Sequence, residues 1–475
     1  MKLRQLLKDI PVVVRGSQEL DIVAMTANSK MASPGCLFIA KRGKTGDGHR
    51  FILDAIAGGA IAILTDTYDP FLKVTQLIHS DVNQLEPLLG NRFYHHPSEK
   101  LSLFGVTGTS GKTTTTFLIH HLFKNCGLIG TVAWMTGKKI LPSSHTTPDL
   151  LTLLHLLHEM EEEGCQSAAI EVSSHALDQG RVDGVKFAAA VYTNLSQDHL
   201  DYHASMDEYA AAKARLFKTL DSVAIVNGDD PWADFMVKES PAQVIRFGFS
   251  GKCDLLASDL QLTPSGMKFI VHWKGEGVAF QTQLIGRFNV YNILGAAGVA
   301  LSQGIDLKTI AESIKVFSGV PGRLERINNQ RNLQVFVDYA HKPEALKNVL
   351  ETLQEFKQGK IITVFGCGGN RDALKRPLMA SIAEKLSDVV IVTNDNPRQE
   401  DPQKIAQEII QGFQLKNHCV ELDRKRAIEK ALSLATPDDM ILIAGKGHEN
   451  YQIFANETVP FDDREVVNSF SHFLK

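Results

Sequence analysis

Residues 101–116 read LSLFGVTGTSGKTTTT. The opening LSLFGV is a short continuous apolar run, the pattern of a strand buried on both faces of a parallel sheet. A glycine turn follows, Gly108-Thr109-Ser110-Gly111, and Lys112 then opens a helical stretch expected to reach Lys124. Strand, glycine turn and helix in that order make an anion site. Successive backbone N–H groups converge at a helix N-terminus, where the helix dipole also favours negative charge. Lys112 is placed to reach the outer phosphates of a nucleotide, the Thr113 hydroxyl to bind Mg²⁺, and Thr114 continues the cradle. The strict form of this loop has a glycine five residues before Gly111; Val106 stands there, and the extra glycine is Gly108. The loop is therefore a shortened variant. Its strand-before, helix-after context still reads as phosphate binding rather than a chance turn.

The rest of the chain supplies the frame. Its 475 residues suggest three domains of about 150 residues each. A formal charge of −4 offers no global attraction to nucleic acid or an anionic membrane, so a nucleotide needs local cations. The cysteines at 36, 126, 165, 253, 367 and 419 form no CxxC pair or zinc spacing, which fits reduced thiols in a cytoplasmic protein. Asp9 and Pro11 interrupt the opening MKLRQLLKDIPVVV, so no signal peptide is expected. The longest apolar stretch, AIAGGAIAIL at 55–64, is far short of the roughly 20 residues that span a bilayer, and no membrane insertion is expected.

Three textures follow one another. Residues 1–97 read as short strands and turns with a helix near Arg50–Gly58, and YHHPSEK (94–100) reads as a linker. Residues 98–321 continue from LSLFGV through the buried runs AAIEV (168–172), AAAVYTNL (188–195) and SVAIVNG (222–228), separated by helix-period segments; KFIVHW (268–273) and FQTQL (280–284) alternate and suit an antiparallel extension. GVPGRLE (319–325) has the Pro-Gly signature of a hinge. Residues 322–475 form a second series: strands QVFVDYA (334–340), IITVFGC (361–367), DVVIVTN (388–394) and DMILIAG (439–445) alternate with helices starting near Pro343, Lys375, Pro402 and Arg424. That alternation is a doubly wound, Rossmann-like domain. The expected class is α/β in three domains, the central one a P-loop ATPase-like parallel sheet.

Two carboxyl-edge residues stand out by chemistry. Glu171 ends the buried run AAIEV, at the edge where α/β sheets bind ligands; metal binding and an N-cap are both open. His199 follows another strand end in SQDHLDYH, where a neighbour-satisfied imidazole is as natural as a ligand. Lys213 in AAAKARLF reads, by composition, as a helical lysine on a solvated face.

The short loop GTSGKTTT (108–115) resembles that of the Mur ligases, the ATP-dependent amide-forming enzymes of peptidoglycan precursor synthesis. The resemblance extends, in family order, over TTPD (146–149), EVSSHAL (171–177), TNLSQDHLDYH (193–203), AAKARLF (211–217), GRFNVYN (286–292), PGRLE (321–325), VDYAHKP (337–343), FGCGGNRD (365–372), DNPR (395–398) and AGKGHE (444–449). It implies that ATP phosphorylates a substrate carboxylate, and that an amine then displaces phosphate. Metal ions and cations must bring the two anions together. On this resemblance Glu171, His199 and Thr113 hold Mg²⁺, and Lys213 is carbamylated by CO₂ to become a further, anionic ligand. Asn292, taken as opening a helix, contacts adenine; Arg323, Asp338 and His341 face phosphate, ribose and nucleotide. The position of Arg323 after the hinge suggests that domain closure completes the site. Ser29 contacts the uridine diphosphate of a UDP-muramyl peptide in the N-terminal domain, beside Lys30 where the family often has arginine. Thr146, Thr147, Ser173 and Arg181 hold its peptide, although TTP and SSH also suit turn and cap chemistry.

The incoming amino acid is read from DNPR. Diaminopimelate differs from lysine by one distal carboxylate, and Arg398 can grip a carboxylate bidentately. The resemblance places Arg371, Asn396, Gly445 and Glu449 beside it, with Asp395 and Glu449 attracting ammonium groups or orienting Arg398; Pro397 shapes the turn. The implied reaction adds meso-diaminopimelate to UDP-N-acetylmuramoyl-L-alanyl-D-glutamate, in a cytoplasmic monomer without nucleic-acid partners. A lysine-adding relative, a folylpolyglutamate synthase-like ligase and a P-loop nucleotide switch are the competing readings; DNPR and the N-terminal domain speak against the first two.

Overall fold

The computed structural model describes residues 1–43, 46–263 and 265–470. The chain divides into two compact units: Met1–Leu256 with His272–Glu276 and Tyr291–Ile310, and Ala257–Val271 with Gly277–Val290 and Ala311–Lys475. The first unit holds two sheets. Its N-terminal sheet runs in the order Val13–Arg15, Thr75–Ile78, Ala60–Thr65, Cys36–Ile39, Ala24–Thr26, with only the first pair antiparallel. The helix expected near Arg50–Gly58 is Ile52–Ala57, entered by a 3₁₀ turn at Gly48–Phe51.

A second helix, Val82–Phe93, is not announced by the sequence texture. Its interior Pro87 removes a backbone donor and argues against helix, yet Val82, Leu85 and Leu89 recur at helical spacing and enter the core with Leu77 and Leu151. Nor is Tyr94–Lys100 a free linker. Tyr94, Pro97 and Ser98 are buried, and the Tyr94 ring lies 5.7 Å from that of His155.

The larger sheet of this unit is built from the expected apolar runs. Its order is Gln243–Gly248, Val223–Asn227, Ala189–Tyr192, Ser102–Thr107, Ser167–Glu171, Cys126–Ile129, all parallel, then Ala133–Met135 and Ile140–Pro142 antiparallel. Register decides what meets at the edge. Glu171 pairs with Val106, and Tyr192 with Thr107, so three strands end level. The phosphate loop leaves the middle strand, flanked by Glu171 on one side and by TNLSQDH on the other. The chain reverses its winding direction at this strand, the crevice where open α/β sheets take ligands. The helix after the loop is Lys112–Leu122, two residues shorter than expected. The alternating segments form Gly266–Trp273 and Glu276–Thr282, joined at Lys274 and Gly275, both at positive φ.

The second unit has the six-stranded order Glu325–Ile327, Gln334–Asp338, Met440–Ala444, Ile361–Phe365, Val389–Val392, His418–Val420, parallel except for the first pair. The four expected strands are its centre; the short edge strands were too brief to read from pattern. In Ile361–Phe365, Ile361 and Phe365 join one core while Ile362 and Val364 join another. A strand covered on both faces needs apolar residues throughout, which is why these runs are legible. Helices Pro343–Gln354, Lys375–Leu386, Pro402–Ile410 and Arg424–Leu434 start where the sequence places them. No helix among the described residues is long and apolar enough to cross a membrane.

One buried ion pair ties this unit together. Arg424 Nε lies 2.7 Å from Asp463 Oδ1 and Nη2 lies 2.8 Å from Oδ2, both side chains having no exposure. The same guanidinium donates to the carbonyls of Asn394 (3.2 Å) and Ala444 (3.1 Å), fixing the ends of two strands. Asp463→Ala leaves that guanidinium buried and uncompensated, and should cost this unit about 3–5 kcal/mol. Denaturant unfolding of the variant measures it; a loss below about 1 kcal/mol, the surface-pair range, would show the pair to be incidental.

Candidate active site

The phosphate loop is shaped by what surrounds it. Gly108 has φ +150 and Gly111, the N-cap of the helix, φ +87. A Cβ on Gly108 would come within 1.9 Å of Thr193 Oγ1, and one on Gly111 within 2.3 Å of Asn292 Oδ1. Both positions therefore require glycine on conformation and on space. The neighbouring strand end braces the turn. Asn194 Oδ1 accepts from Ser110 N (3.0 Å) while its Nδ2 donates to Ser110 O (3.1 Å), and Thr109 N donates to Asn194 O (2.9 Å). Thr193 Oγ1 donates to Ser110 O at 2.6 Å, and Ser196 N to Thr109 Oγ1 at 3.1 Å. TNLS thus acts as the loop's mould. Asn292 does not open a helix as expected. It lies inside Arg287–Ser302, buried against the loop, with its Oδ1 3.4 Å from Thr115 Oγ1.

Two ammonium groups meet one carbonyl. Lys112 Nζ donates to Gly108 O (2.9 Å) and Thr109 O (2.9 Å), and Lys213 Nζ donates to Gly108 O (2.8 Å). The solvated-face reading of Lys213 is wrong: it is 1% exposed, and its ammonium sits over the Tyr209 ring at 4.5 Å. Burial, with the nearby Lys112 charge, holds its pKa well below that of free lysine. The sequence carried the signal. Lys213 stands four residues after Tyr209 and four before Phe217, on the buried stripe of Met206–Lys218.

Glu171 is buried with no exposure, and it has hydrogen-bond partners rather than a cap role. Its Oε1 accepts from Thr131 N (2.9 Å) and its Oε2 from Thr131 Oγ1 (3.1 Å). Thr131 Oγ1 lies 3.0 Å from Thr146 Oγ1, and Thr147 Oγ1 donates to Glu171 O at 2.7 Å. Ser173 N donates to Thr147 Oγ1 (3.1 Å), Ser173 Oγ caps the next turn at Ala176 N, and Arg181 Nη1 donates to Thr147 O (2.7 Å). The structure thus joins Thr146, Thr147, Glu171, Ser173 and Arg181 in one network. Thr147 is its hub, and Thr131, which the sequence does not single out, ties Thr146 to the Glu171 carboxylate. His199 stands at φ +55 beside Asp198, with Nε2 3.4 Å from Asp198 Oδ2 and its ring 4.8 Å from that of His175. Ser29 is on the other sheet, opening the 3₁₀ turn Ser29–Met31 after Ala24–Thr26.

No group of three or more His, Cys, Asp or Glu among the described residues is arranged to hold a metal. The expected donors are instead the Thr113 hydroxyl, the Glu171 carboxylate and the His199 imidazole. The fully buried carboxylate and the hydroxyl are hard oxygen donors, and their chemistry fits Mg²⁺.

In the second unit the strand ends gather the remaining candidates. Asp338 accepts from Leu324 N (2.6 Å) and Ala340 N (2.7 Å), with burial raising its pKa against the pull of Arg323. Arg323 lies over the Tyr339 ring at 5.0 Å, and Gly445 N donates to Asp338 O. His341 Nδ1 donates to Tyr339 O (2.8 Å), and burial brings its pKa down to about 4. Arg398 adopts φ +54, its N bonded to Ile453 O (3.0 Å) and its Nη1 to Gly369 O (2.9 Å). Glu449 does not orient it. That carboxylate accepts from Asn396 Nδ2 (2.9 Å) and from Lys446 Nζ (3.0 Å), a buried cation the sequence reading left out although it sits within AGKGHE. Arg371 is exposed beside Asn370; Asp395, at 9% exposure, and Pro397 complete the turn. Arg376 holds the two loops together by donating to Gly368 O (3.3 Å) and Glu400 Oε2 (2.9 Å).

Three family descriptions match the chain: the Mur ligase family catalytic domain over residues 21–94, the Mur ligase middle domain over 106–300, and the Mur ligase glutamate ligase domain over 322–447. Among curated relatives, the UDP-N-acetylmuramoyl-L-alanyl-D-glutamate–2,6-diaminopimelate ligase of Geobacillus kaustophilus is 41% identical over 485 residues, covering 99% of both chains. The enzyme of that name from Chlamydia pneumoniae is 42% identical over 477 residues, covering 98% of both. A solved structure of a ligase of the same name aligns with TM-score 0.71 at 33% identity, covering 98% of each chain. MurF from Acinetobacter baumannii, at 20% identity and TM-score 0.66 over 93% of this chain and 95% of that one, shares the fold. The chain belongs to the Mur ligase family.

Proposed function

We propose that this protein is the ATP-dependent ligase that adds meso-2,6-diaminopimelate to UDP-N-acetylmuramoyl-L-alanyl-D-glutamate, forming an acyl phosphate and releasing ADP and phosphate. The observation that carries the acceptor choice is Arg398, a guanidinium held at positive φ on the Gly369 and Asn396 carbonyls, beside the Asn396–Glu449 pair. Full-length similarity to ligases of that name supports the reaction. In this reading the domains are 1–97 for the UDP end of the substrate, 98–321 for ATP and ligation, and 322–475 for the amino acid. The enzyme works as a monomer in the cytoplasm.

Gly108, Thr109, Ser110, Gly111, Lys112, Thr113 and Thr114 bind the ATP phosphates. Lys112 leaves its two carbonyls for the γ-phosphoryl oxygens, where it offsets charge as the group moves. Asn292 meets adenine, while Arg323, Asp338 and His341 address phosphate and ribose. Ser29 takes the uridine diphosphate, and Thr146, Thr147, Ser173 and Arg181 align the glutamyl carboxylate. Thr113, Glu171 and His199 hold Mg²⁺, which when bound neutralises phosphate charge. The depressed proton affinity of Lys213 suits it to react with CO₂: the neutral amine gives a carbamate and a proton, and the local charge inverts. In the amino-acid site Arg398 and Arg371 take carboxylates, Asp395 and Glu449 take ammonium groups, and Asn396, Pro397 and Gly445 shape the wall.

The direct test incubates UDP-muramyl dipeptide, ATP and Mg²⁺ with diaminopimelate or lysine and weighs the product. Phosphate release without both substrates would instead mark a nucleotide switch. Arg398→Ala should lower kcat/KM for diaminopimelate about 100-fold or more, the range for truncating one partner of a charge pair. KM for ATP should hold; unchanged kinetics with diaminopimelate defeat the assignment.

Lys213 gives a second, two-sided expectation. Because burial lowers its folded-state pKa, the unfolded chain binds its proton more readily between that pKa and the free-lysine value. Lys213 therefore makes stability rise with pH up to about 10.4. Lys213→Met should lose activity, keep or raise the unfolding midpoint near neutral pH, and flatten that rise. Lys213→Ala should regain part of its activity with added short carboxylic acids. A collapsed midpoint in the Met variant marks a structural ammonium, and full activity without rescue excludes the carbamate.

A further inference from the structure

Lys446 follows Gly445 at the carboxyl end of Met440–Ala444 and has no solvent exposure. Its Nζ lies 3.0 Å from Glu449 Oε2 and 3.2 Å from Asn396 Oδ1, and sits over the Tyr451 ring at 5.4 Å. Asn396 Oδ1 also accepts from Ile453 N (3.0 Å), while Asn396 Nδ2 donates to Glu449 Oε2 (2.9 Å). An ammonium can only donate and an ionised carboxylate can only accept. The amide is therefore read in one direction: oxygen toward Lys446 and Ile453, nitrogen toward Glu449. Glu449 Oε2 is occupied by two donors, and Oε1 is the oxygen available to an incoming ammonium.

We infer that Lys446 is the positioning and specificity-setting residue of the amino-acid site, fixing the Asn396 amide and the Glu449 carboxylate through contacts at both. The inference rests on the acceptor site proposed above. Without the ammonium, the Asn396 amide can turn over and Glu449 loses its fixed rotamer. The charge of the site changes as well. With Lys446, the cations Arg371, Arg398 and Lys446 outnumber the carboxylates Asp395 and Glu449. Such a site favours an acceptor carrying a second carboxylate over lysine, which lacks it and is left with a net positive charge. Lys446 reaches these residues and not the acceptor itself, so its loss should be felt in acceptor affinity rather than in nucleotide use.

The test compares the parent with Lys446→Met, a neutral side chain of similar length, varying each substrate in turn. The expected result is a KM for diaminopimelate raised about 10-fold or more, as for loss of a hydrogen bond to a charged group. KM for ATP and for the UDP-dipeptide should stay within about twofold, so that the loss is confined to one substrate. Preference for diaminopimelate over lysine should narrow, and any fall in the unfolding midpoint should come without a matching loss for ATP or the UDP-dipeptide. If the Met variant does not fold, Lys446→Gln, which retains a donor, is read by the same KM split. An unchanged KM for diaminopimelate overturns the inference. So does an equal loss for all three substrates with a lowered midpoint, which marks a folding role alone. A parent that makes product only with lysine defeats the diaminopimelate assignment instead, and the KM split is then measured with lysine.

Discussion

The carbonyl oxygen of Gly108 accepts from two buried or half-buried ammonium groups, Lys112 and Lys213, and the active-site region is organised around that meeting. Like charges brought together away from water oppose one another, and the Lys112 charge adds to burial in weakening the hold of Lys213 on its proton. In the proposed function anions resolve the conflict: phosphate at Lys112, and a carbamate on Lys213. The fold enforces it through register. Three parallel strands end level, so the loop from the middle strand is gripped by Thr193 and Asn194 from one neighbour, while Glu171 on the other is fixed by Thr131.

The proposed amino-acid site solves the opposite problem. There the charges are largely compensated before any ligand arrives: Lys446 against Glu449, Arg424 against Asp463, Arg376 against Glu400 and Glu408. Such networks add little net stability compared with an apolar core, but breaking one partner is expensive. Their use lies in direction. Each guanidinium or ammonium also reaches a loop at a strand end, so DNPR, GGNRD and GKGHE are held relative to one another rather than left as mobile turns.

Much of this was legible in sequence, for a physical reason. Strands covered on both faces read as continuous apolar runs, and IITVF, VVIV and MILIA leave little choice. The loop glycines were legible because no side chain fits where Thr193 and Asn292 approach. What escaped notice depended on direction or context. Pro87 hid a helix whose burial comes from tertiary packing. Asn292 reads as a helix start, yet the helix is already a turn old there. Composition alone reads Lys213 as a surface lysine, since it does not say which face of AAAKARLF meets water; its spacing from Tyr209 and Phe217 does. Thr131 lies in no motif, and Asn194 and Lys446, though inside TNLSQDHLDYH and AGKGHE, act on other residues, so pattern alone does not show what they do.

Backbone strain shows how the site is held ready. His199 and Arg398 both occupy the left-handed region, which costs a non-glycine residue about 1–3 kcal/mol. Such conformations persist only where the surroundings over-determine them. Around His199, its N–H binds the Asp198 carboxylate and its carbonyl accepts from Tyr202 and His203. Around Arg398, the N–H is committed to Ile453 and the guanidinium to Gly369. The ordering free energy of both backbone positions is thus supplied by the fold before substrate arrives. In the proposed reaction, binding energy from the acceptor and the nucleotide can then act on the reacting groups instead of on assembling the residues that would meet them.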